Sequence, residues 1–436
     1  MSIKHIEIGG DNQEPTNSNS LKTGRGKKHK KKSKAVHILK IQKYLKQAYD
    51  IRFNYLALSL EFKKPEESCF KLLDDRALNT IWVNIQLLGL KCSERTLQML
   101  LRSEYTPSYH PLAEYFNKLK AHDGIDYIGQ LAETVEITDL QIGEINIKEL
   151  WHVYLQKWLV ASVANCLRKG VNQTCLILVG NQGSGKTTWL NKLCPESMQE
   201  FLVCGHINPS LTDNNTVNLL AEKWLINIDD QLENIFQKDF NSMKAIITTP
   251  FVTNRKAFAR MTKTRPRVSS FMGSVNSRKI LTDTHNRRYL VFATETINFQ
   301  HTIPMDKVWG QALDLFKKGF SYWFSDSEMR QLHKINEHFQ VATIEQEWLS
   351  KVYEPCKPSD AGAMFLMSSE ILSTLCAYSG LKLNQKKLSQ AFEKLGYPKP
   401  IAKRINSKGV RRVYYVRKIT DIQEKKFQQE IKQTSR

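Results

Sequence analysis

Gly180, Gly185, Lys186 and Thr187 occupy the spacing G-x-x-x-x-G-K-[ST], directly after the apolar run Cys175-Leu-Ile-Leu-Val179 and directly before Thr188-Trp189-Leu190. Glycines at those positions let consecutive backbone N–H groups turn inward onto phosphate oxygens, and a helix starting at the lysine adds the positive end of its dipole. The pattern therefore predicts a nucleoside triphosphate site. Gly180, Gln182, Gly183, Ser184, Gly185, Lys186, Thr187 and Thr188 would wrap ATP, Lys186 would reach the terminal phosphates, and Thr187 would ligate Mg²⁺.

Hydrolysis needs more than a cradle: a second metal ligand, an oriented water and cations for the charge that develops. Trp224-Leu-Ile-Asn-Ile-Asp229-Asp230 ends a short apolar run in paired carboxylates, far enough after Lys186 for one helix and one further strand. Asp229 is the second candidate Mg²⁺ ligand, and Asp230 the group that orients or deprotonates the water. Asn276, ending the strand-like Val268-Ser-Ser-Phe-Met-Gly-Ser-Val, suits a water-polarising amide. Arg287 and Arg288 stand at the mouth of the apolar run Tyr289-Leu-Val-Phe292. Adjacent residues there point opposite ways, so one guanidinium could enter a neighbouring subunit's phosphate site while the other braces its own.

The elements that must position these residues follow from periodicity. Apolar runs before Gly180, before Asp229, up to Asn276 and after Arg288 read as strands, with helical segments between. Asn254 to Arg267 holds six basic residues, no acid and Phe258, the mixture that a single-stranded nucleic acid site uses; Arg260, Lys263 and Arg265 are its candidates, while Arg255 or Arg267 could face a nucleotide instead. Upstream, Val36 to about Lys148 reads as mainly helical, and a helix from about Glu149 to Lys169 puts Trp151, Leu155, Trp158, Leu159 and Ser162 on one stripe. Past Pro358, a helix from Ser369, a helix from Gln385 and a hairpin over Ile401 to Val416 read as a winged helix. Lys386, Lys387, Lys403, Arg404, Lys408, Arg411 and Arg412 are expected to line one side of it.

The chain has 436 residues, 41% of them hydrophobic, and a formal charge of +21. That charge sits at the ends. Residues 1–35 carry nine Lys/Arg against three acids and residues 382–436 sixteen against four, which leaves about +3 for the rest. The first run has nothing to bury and repels itself, so it is expected to be a disordered arm that attracts phosphate backbones. Eight cysteines without a C-x-x-C pair suggest reduced core residues in a cytoplasmic protein. No apolar run approaches the roughly 20 residues that span a bilayer.

Taken in order, Gly180 to Thr187, Ile226-Asn-Ile-Asp229-Asp230, Phe271 to Asn276 and Thr284-His-Asn-Arg287-Arg288-Tyr289 resemble the virulence-associated protein E family. These are P-loop ATPases of phages and bacterial mobile elements, related to superfamily III helicases and to the ATPase part of phage primases. The likeness extends upstream through Leu73-Asp-Asp-Arg76 and Ser103 to Phe116. The family's second acid is usually Glu, where this chain has Asp230.

The resemblance implies an AAA+-type α/β ATPase core at 149–325 that works in a ring, most simply a hexamer, with the 254–267 loop projecting into its channel. Around it are expected a basic arm (1–35), a helical N-terminal domain (36–148), a helical connector (326–357), a winged-helix domain (358–420) and a charged tail (421–436). The expected function is an ATP-dependent helicase or translocase acting on nucleic acid, most simply single-stranded DNA, in replication of a phage or mobile element, alongside a primase or other replication protein. The N-terminal third shows no acidic triad of the primase kind. A DNA-binding nucleotide switch that recruits partners without unwinding is the alternative.

Overall fold

A strand buried on both faces belongs in the middle of a sheet that is covered on both sides, and all five residues of Cys175–Val179 are buried. The structure is a computed structural model that describes residues 25–419 apart from 230, 255–261, 283–286 and 406–408, and without the side chains of 25–36, 237–238 and 405. It is a mixed α/β fold. The chain parts into two compact units between Pro111 and Leu112.

The first unit begins with α1 (Arg25–Ala48), followed by strands β1 (Asp50–Asn54), β2 (Ser59–Lys63) and β3 (Lys71–Leu72), helices α2 (Asp75–Leu87) and α3 (Glu94–Leu101), and β4 (Ser108–Tyr109). The side chains of Asp74 and Ser93 cap α2 and α3. Ile41 and Leu45 of α1 pack with Ile81 and Ile85 of α2 and Leu97 and Leu101 of α3. Two expectations change here. Residues 25–35, expected in a disordered arm, begin α1, because lysines and arginines are good helix formers and the helix is anchored by its apolar C-terminal half. The region expected to be mainly helical also contains a four-stranded sheet, ordered β3-β2-β1-β4. Its strands are too short and too mixed to show in periodicity. One cross-sheet contact is the Arg52 guanidinium, 3.8 Å from the Phe70 ring and 3.6 Å from the Tyr109 ring while bonded at 2.6 Å to Glu61.

In the second unit, helices α4 (Pro111–Lys118) and α5 (Tyr127–Glu133), strand β5 (Val135–Ile137), the small hairpin β6 (Gln141–Ile142) and β7 (Ile145–Asn146), and helix α6 (Ile147–Cys166) precede β8 (Cys175–Val179). Then come α7 (Lys186–Lys192), β9 (Leu202–Cys204), α8 (Asn214–Glu222), β10 (Leu225–Asn227), α9 (Leu232–Lys238), α10 (Phe240–Thr248), the hairpin β11 (Phe251–Asn254) and β12 (Lys263–Pro266), β13 (Ser270–Val275), β14 (Tyr289–Ile297) and α11 (Met305–Lys317). The main sheet is ordered β5-β14-β8-β13-β10-β9. Its last five strands are parallel, and only β5 runs antiparallel, against β14. The strand that feeds the glycine loop is thus flanked by β14 on one side and β13 on the other.

The stripe expected on α6 is instead a helix buried nearly all round, including Lys157, Asn165 and Cys166. A helix wrapped by apolar residues is a core helix rather than a surface one. Its tryptophans still find acceptors: Trp151 Nε1 donates to Ala132 O at 2.9 Å and Trp158 Nε1 to Phe271 O at 3.2 Å. Lys157 is paired in the interior with Glu328 Oε1 at 2.8 Å and donates to the Trp323 carbonyl at 2.9 Å.

The chain closes with α12 (Asp326–His338), α13 (Ile344–Val352), β15 (Tyr353–Pro355), β16 (Ala363–Leu366), α14 (Ser368–Ser379), α15 (Gln385–Lys394), β17 (Ile401–Ile405) and β18 (Gly409–Lys418). Leu349 and Val352 of α13 share one core with Ile371, Leu375, Leu388, Phe392 and Val416. The terminal substructure therefore starts at α13, ahead of the expected boundary at 358. Among the described residues no helix is long and apolar enough to cross a membrane, and no three of His, Cys, Asp and Glu gather closely enough to hold a metal ion.

Candidate functional site

In an open parallel sheet, loops leaving the carboxyl ends of the strands converge on one edge. Here that edge collects Gly180 after β8, Asp229 after β10 and Asn276 after β13. Gly180 passes against β14, so that a Cβ on it would lie 2.6 Å from Thr294 Oγ1. Gly183 and Gly185 have φ of +79° and +85°, the left-handed conformation that favours glycine. The loop thereby turns back on itself and delivers Lys186 as the first residue of α7.

Lys186 is 5% exposed. Its Nζ donates to Gly180 O at 2.8 Å, Asn181 O at 2.7 Å, Asn276 Oδ1 at 3.1 Å and Ser184 Oγ at 3.4 Å. Beside it, Thr187 Oγ1 donates to Asp229 Oδ1 at 2.9 Å, and Ser274 Oγ donates to the same oxygen. Five residues from three separate segments thus meet: Lys186, Thr187, Asp229, Ser274 and Asn276. Gln182 and Thr188 are exposed and Ser184 half-buried along the loop. Asp230 lies outside the described residues.

Ser274 was not legible as a site residue, although a signal existed: it stands two before Asn276 and so shares its side of the pleat. The same spacing marks Asn227, two before Asp229, which is fully buried and donates to Asn191 Oδ1 at 2.7 Å. Asn191 also accepts from the Cys204 thiol at 3.1 Å, whose pKa is raised by burial and by the nearby Asp229 charge. This second layer fixes α7 against β10.

Arg287 and Arg288 do not join this cluster within one chain. Their strand β14 pairs Tyr289 with Cys175 and Ala293 with Val179, so they stand at the amino edge of the sheet while the loop leaves the carboxyl edge. Four residue steps at about 3.3 Å separate the two edges by about 13 Å. The pair also divides. Arg287 is exposed, with Nη1 3.9 Å from Met329 Sδ, whereas Arg288 is half-buried and its Nε has no partner among the described residues.

The basic segment after β11 resolves into different roles. Arg260 lies outside the described residues, and Lys263 is exposed on β12. Arg265, expected to grip a strand, is 3% exposed and bonded to Glu222 Oε1 at 2.9 Å and Asn218 Oδ1 at 2.7 Å. A guanidinium occupied inside the fold has no fork left for phosphate, so Arg265 holds the hairpin to α8 instead. Arg267 is likewise internal, donating to the carbonyls of Thr249, Asn172 and Ile247 at 2.8, 2.8 and 2.9 Å and to that of Ser269; burial pulls its pKa down to about 9.

At the C-terminal hairpin, the expected single basic side splits in two. The register pairs Lys403 with Arg411, Arg404 with Val410 and Ala402 with Arg412. Alternation then puts Lys403 and Arg411 on one face and Arg404 and Arg412 on the other. The Lys403 ammonium lies over the Phe365 ring, while Arg404, Arg411 and Arg412 are exposed. Lys386 and Lys387 are exposed in the first turn of α15, and Lys408 lies outside the described residues.

A family model described as the virulence-associated protein E-like domain matches residues 117–341. Among solved structures, the apo structure of the NrS-1 C terminal region (305-718) is similar with a TM-score of 0.45 at 12% identity, covering 86% of this chain and 98% of that one. The A form apo structure of the same region gives 0.43 at 11% identity, with 86% and 98% covered. Comparison with curated proteins yields no match. With more than half of its residues inside the matched span, this chain belongs to the virulence-associated protein E-like family.

Proposed function

We propose that this chain is a P-loop ATPase with an AAA+-type core, and that it works as a nucleic-acid translocase or helicase in replication of a phage or mobile element. The observation that carries the reading is the meeting of the Lys186 ammonium with Thr187, Asp229 and Asn276 at the carboxyl edge of β8, β10 and β13. Lys186 holds its loop closed through two backbone carbonyls, and exchanging these for phosphate oxygens would trade neutral acceptors for charged ones. Gly185 offers no side-chain cap to α7, so the first helical N–H groups are left for an anion.

The hydroxyl of Thr187 and the carboxylate of Asp229 form an oxygen pair that suits a hard divalent cation such as Mg²⁺. Mg²⁺ bound there would neutralise phosphate charge. Asn276, bonded to Lys186, would orient a water with its amide, and Asp230, which lies outside the described residues, would accept the water's proton. Arg287, exposed at the far edge of the sheet, is then suited to a neighbour's site, and half-buried Arg288 to bracing its own chain. A site completed by a neighbour requires a closed assembly, most simply a hexameric ring.

Steady-state ATPase with and without single-stranded DNA tests the reading. Stimulation by DNA is expected, together with loss of activity in Arg287→Ala that is restored by mixing with Asp229→Asn subunits, which still supply an intact arginine. Failure to complement would mean that the arginine does not act across a subunit junction. A rate indifferent to DNA would replace the motor with a nucleotide switch.

The C-terminal order α13, β16, α14, α15, β17, β18 supports a winged-helix assignment, with α15 and the hairpin meeting nucleic acid. Arg404→Ala with Arg412→Ala and Lys403→Ala with Arg411→Ala remove one face each. If one face meets the backbone, only its double variant should weaken binding and flatten the dependence of log K on log salt, by about one per lost contact. Equal loss from both pairs would argue for diffuse attraction.

A further inference from the structure

On the proposed ATPase reading, the sheet order gives a bound nucleotide its direction. Asp229 leaves β10 and Asn276 leaves β13, and both strands lie on the same side of β8. A nucleotide whose terminal phosphate meets these two residues carries its nucleoside toward the opposite side, where β14 runs beside β8. The chain leaving β14 occupies that side. Asn298 N–H donates to Thr134 O at 2.8 Å, and Lys192 Nζ donates to the carbonyl of Phe299 at 3.4 Å and to that of His301, which ties the segment along α7.

Phe299 is the aromatic residue of this segment. Its ring lies against the glycine loop: a Cβ on Gly185 would come within 2.2 Å of Phe299 Cδ1. Gly185, Thr188 and Lys192 are spaced i, i+3 and i+7 and so share one face of α7. Thr188 on that face is exposed and Phe299 is half-exposed, so a ring and an open stretch of helix adjoin the point where a nucleoside would emerge. A ring left partly in water, on a backbone tied by Lys192, is a preorganised surface for a flat partner.

We infer that Phe299 stacks on the base of the bound nucleotide and makes the loop select a nucleoside triphosphate over bare polyphosphate. The inference rests on the ATPase reading above. The test uses the full chain and measures ATP affinity, with inorganic tripolyphosphate as a competitor that has phosphates but no base. Phe299→Ala should weaken ATP by about tenfold to a hundredfold, the range of base–aromatic stacking, while tripolyphosphate holds as before. Phe299→Trp should restore ATP binding.

Parallel weakening of both ligands would overturn the inference, because it would mean that Phe299 only buttresses Gly185. Unchanged ATP affinity in Phe299→Ala would overturn it as well. If the wild-type chain binds tripolyphosphate and ATP equally, the stacking role falls and the phosphate site stands. If it binds neither, the ATPase reading falls with it.

Discussion

Lys186→Ala is expected to lower ATP turnover by about a hundredfold to a thousandfold, the usual cost of removing one preorganised donor from developing charge. The side chain is almost wholly buried and its ammonium reaches two loop carbonyls and the Asn276 amide oxygen, so no neighbouring cation can take its place. Arginine should not rescue it, since a planar fork cannot occupy the volume of a compact ammonium among three converging oxygens. Phosphate release at saturating ATP and direct ATP affinity are the measurements, with thermal unfolding alongside to show that the variant still folds. Turnover within threefold of wild type would remove Lys186 from the chemistry and, with it, the carrying observation of the proposed function.

The second large effect falls on stability. Arg267→Met is expected to destabilise the second unit by about 3–5 kcal/mol, because Arg267 is 1% exposed and its guanidinium satisfies carbonyls from separate segments: Ile247 and Thr249 at the end of α10, Asn172 ahead of β8, and Ser269 just before β13. Methionine fills much of the volume but donates nothing, so those carbonyls stay buried and unpaired. The melting temperature should fall by about 6 °C or more, or the variant should fail to accumulate in soluble form. Lys263→Met on β12 is the control: its side chain is exposed, and a change within about 0.5 kcal/mol is expected. A mild effect at Arg267 would mean that solvent or a shifted loop can replace the guanidinium.

Arg265 and Arg267 also show where reading the chain alone misleads. In sequence they belong to a run of six cations without an acid, which looks like a nucleic acid surface. In the fold, Arg265 meets Glu222 and Asn218 of α8, more than forty positions upstream, and Arg267 meets carbonyls brought in by α10 and by the segment before β8. A buried cation is recognised by its acceptors, and acceptors contributed from a distance leave no mark on the local pattern. The hairpin cations are a different case. Their division between two faces follows from the period-two pleat and from pairing across the turn, both of which an alternating reading of 401–413 contains.

The sequence by itself determined the glycine loop between β8 and α7, the strands that present Asp229 and Asn276, and the helix–helix–hairpin order of the C-terminal part, because each depends on short-range spacing, turn chemistry and periodicity. Tertiary structure alone decided the strand order. That order inserts β13 between β8 and β10 and brings Ser274 and Asn276 to Lys186 and Asp229, while the parallel pairing of β14 with β8 sends Arg287 and Arg288 to the far edge. Strand order is a matter of long-range pairing among similar apolar runs, any of which could pair with any other. Only the packing of the whole sheet against α6 and its neighbours selects one arrangement.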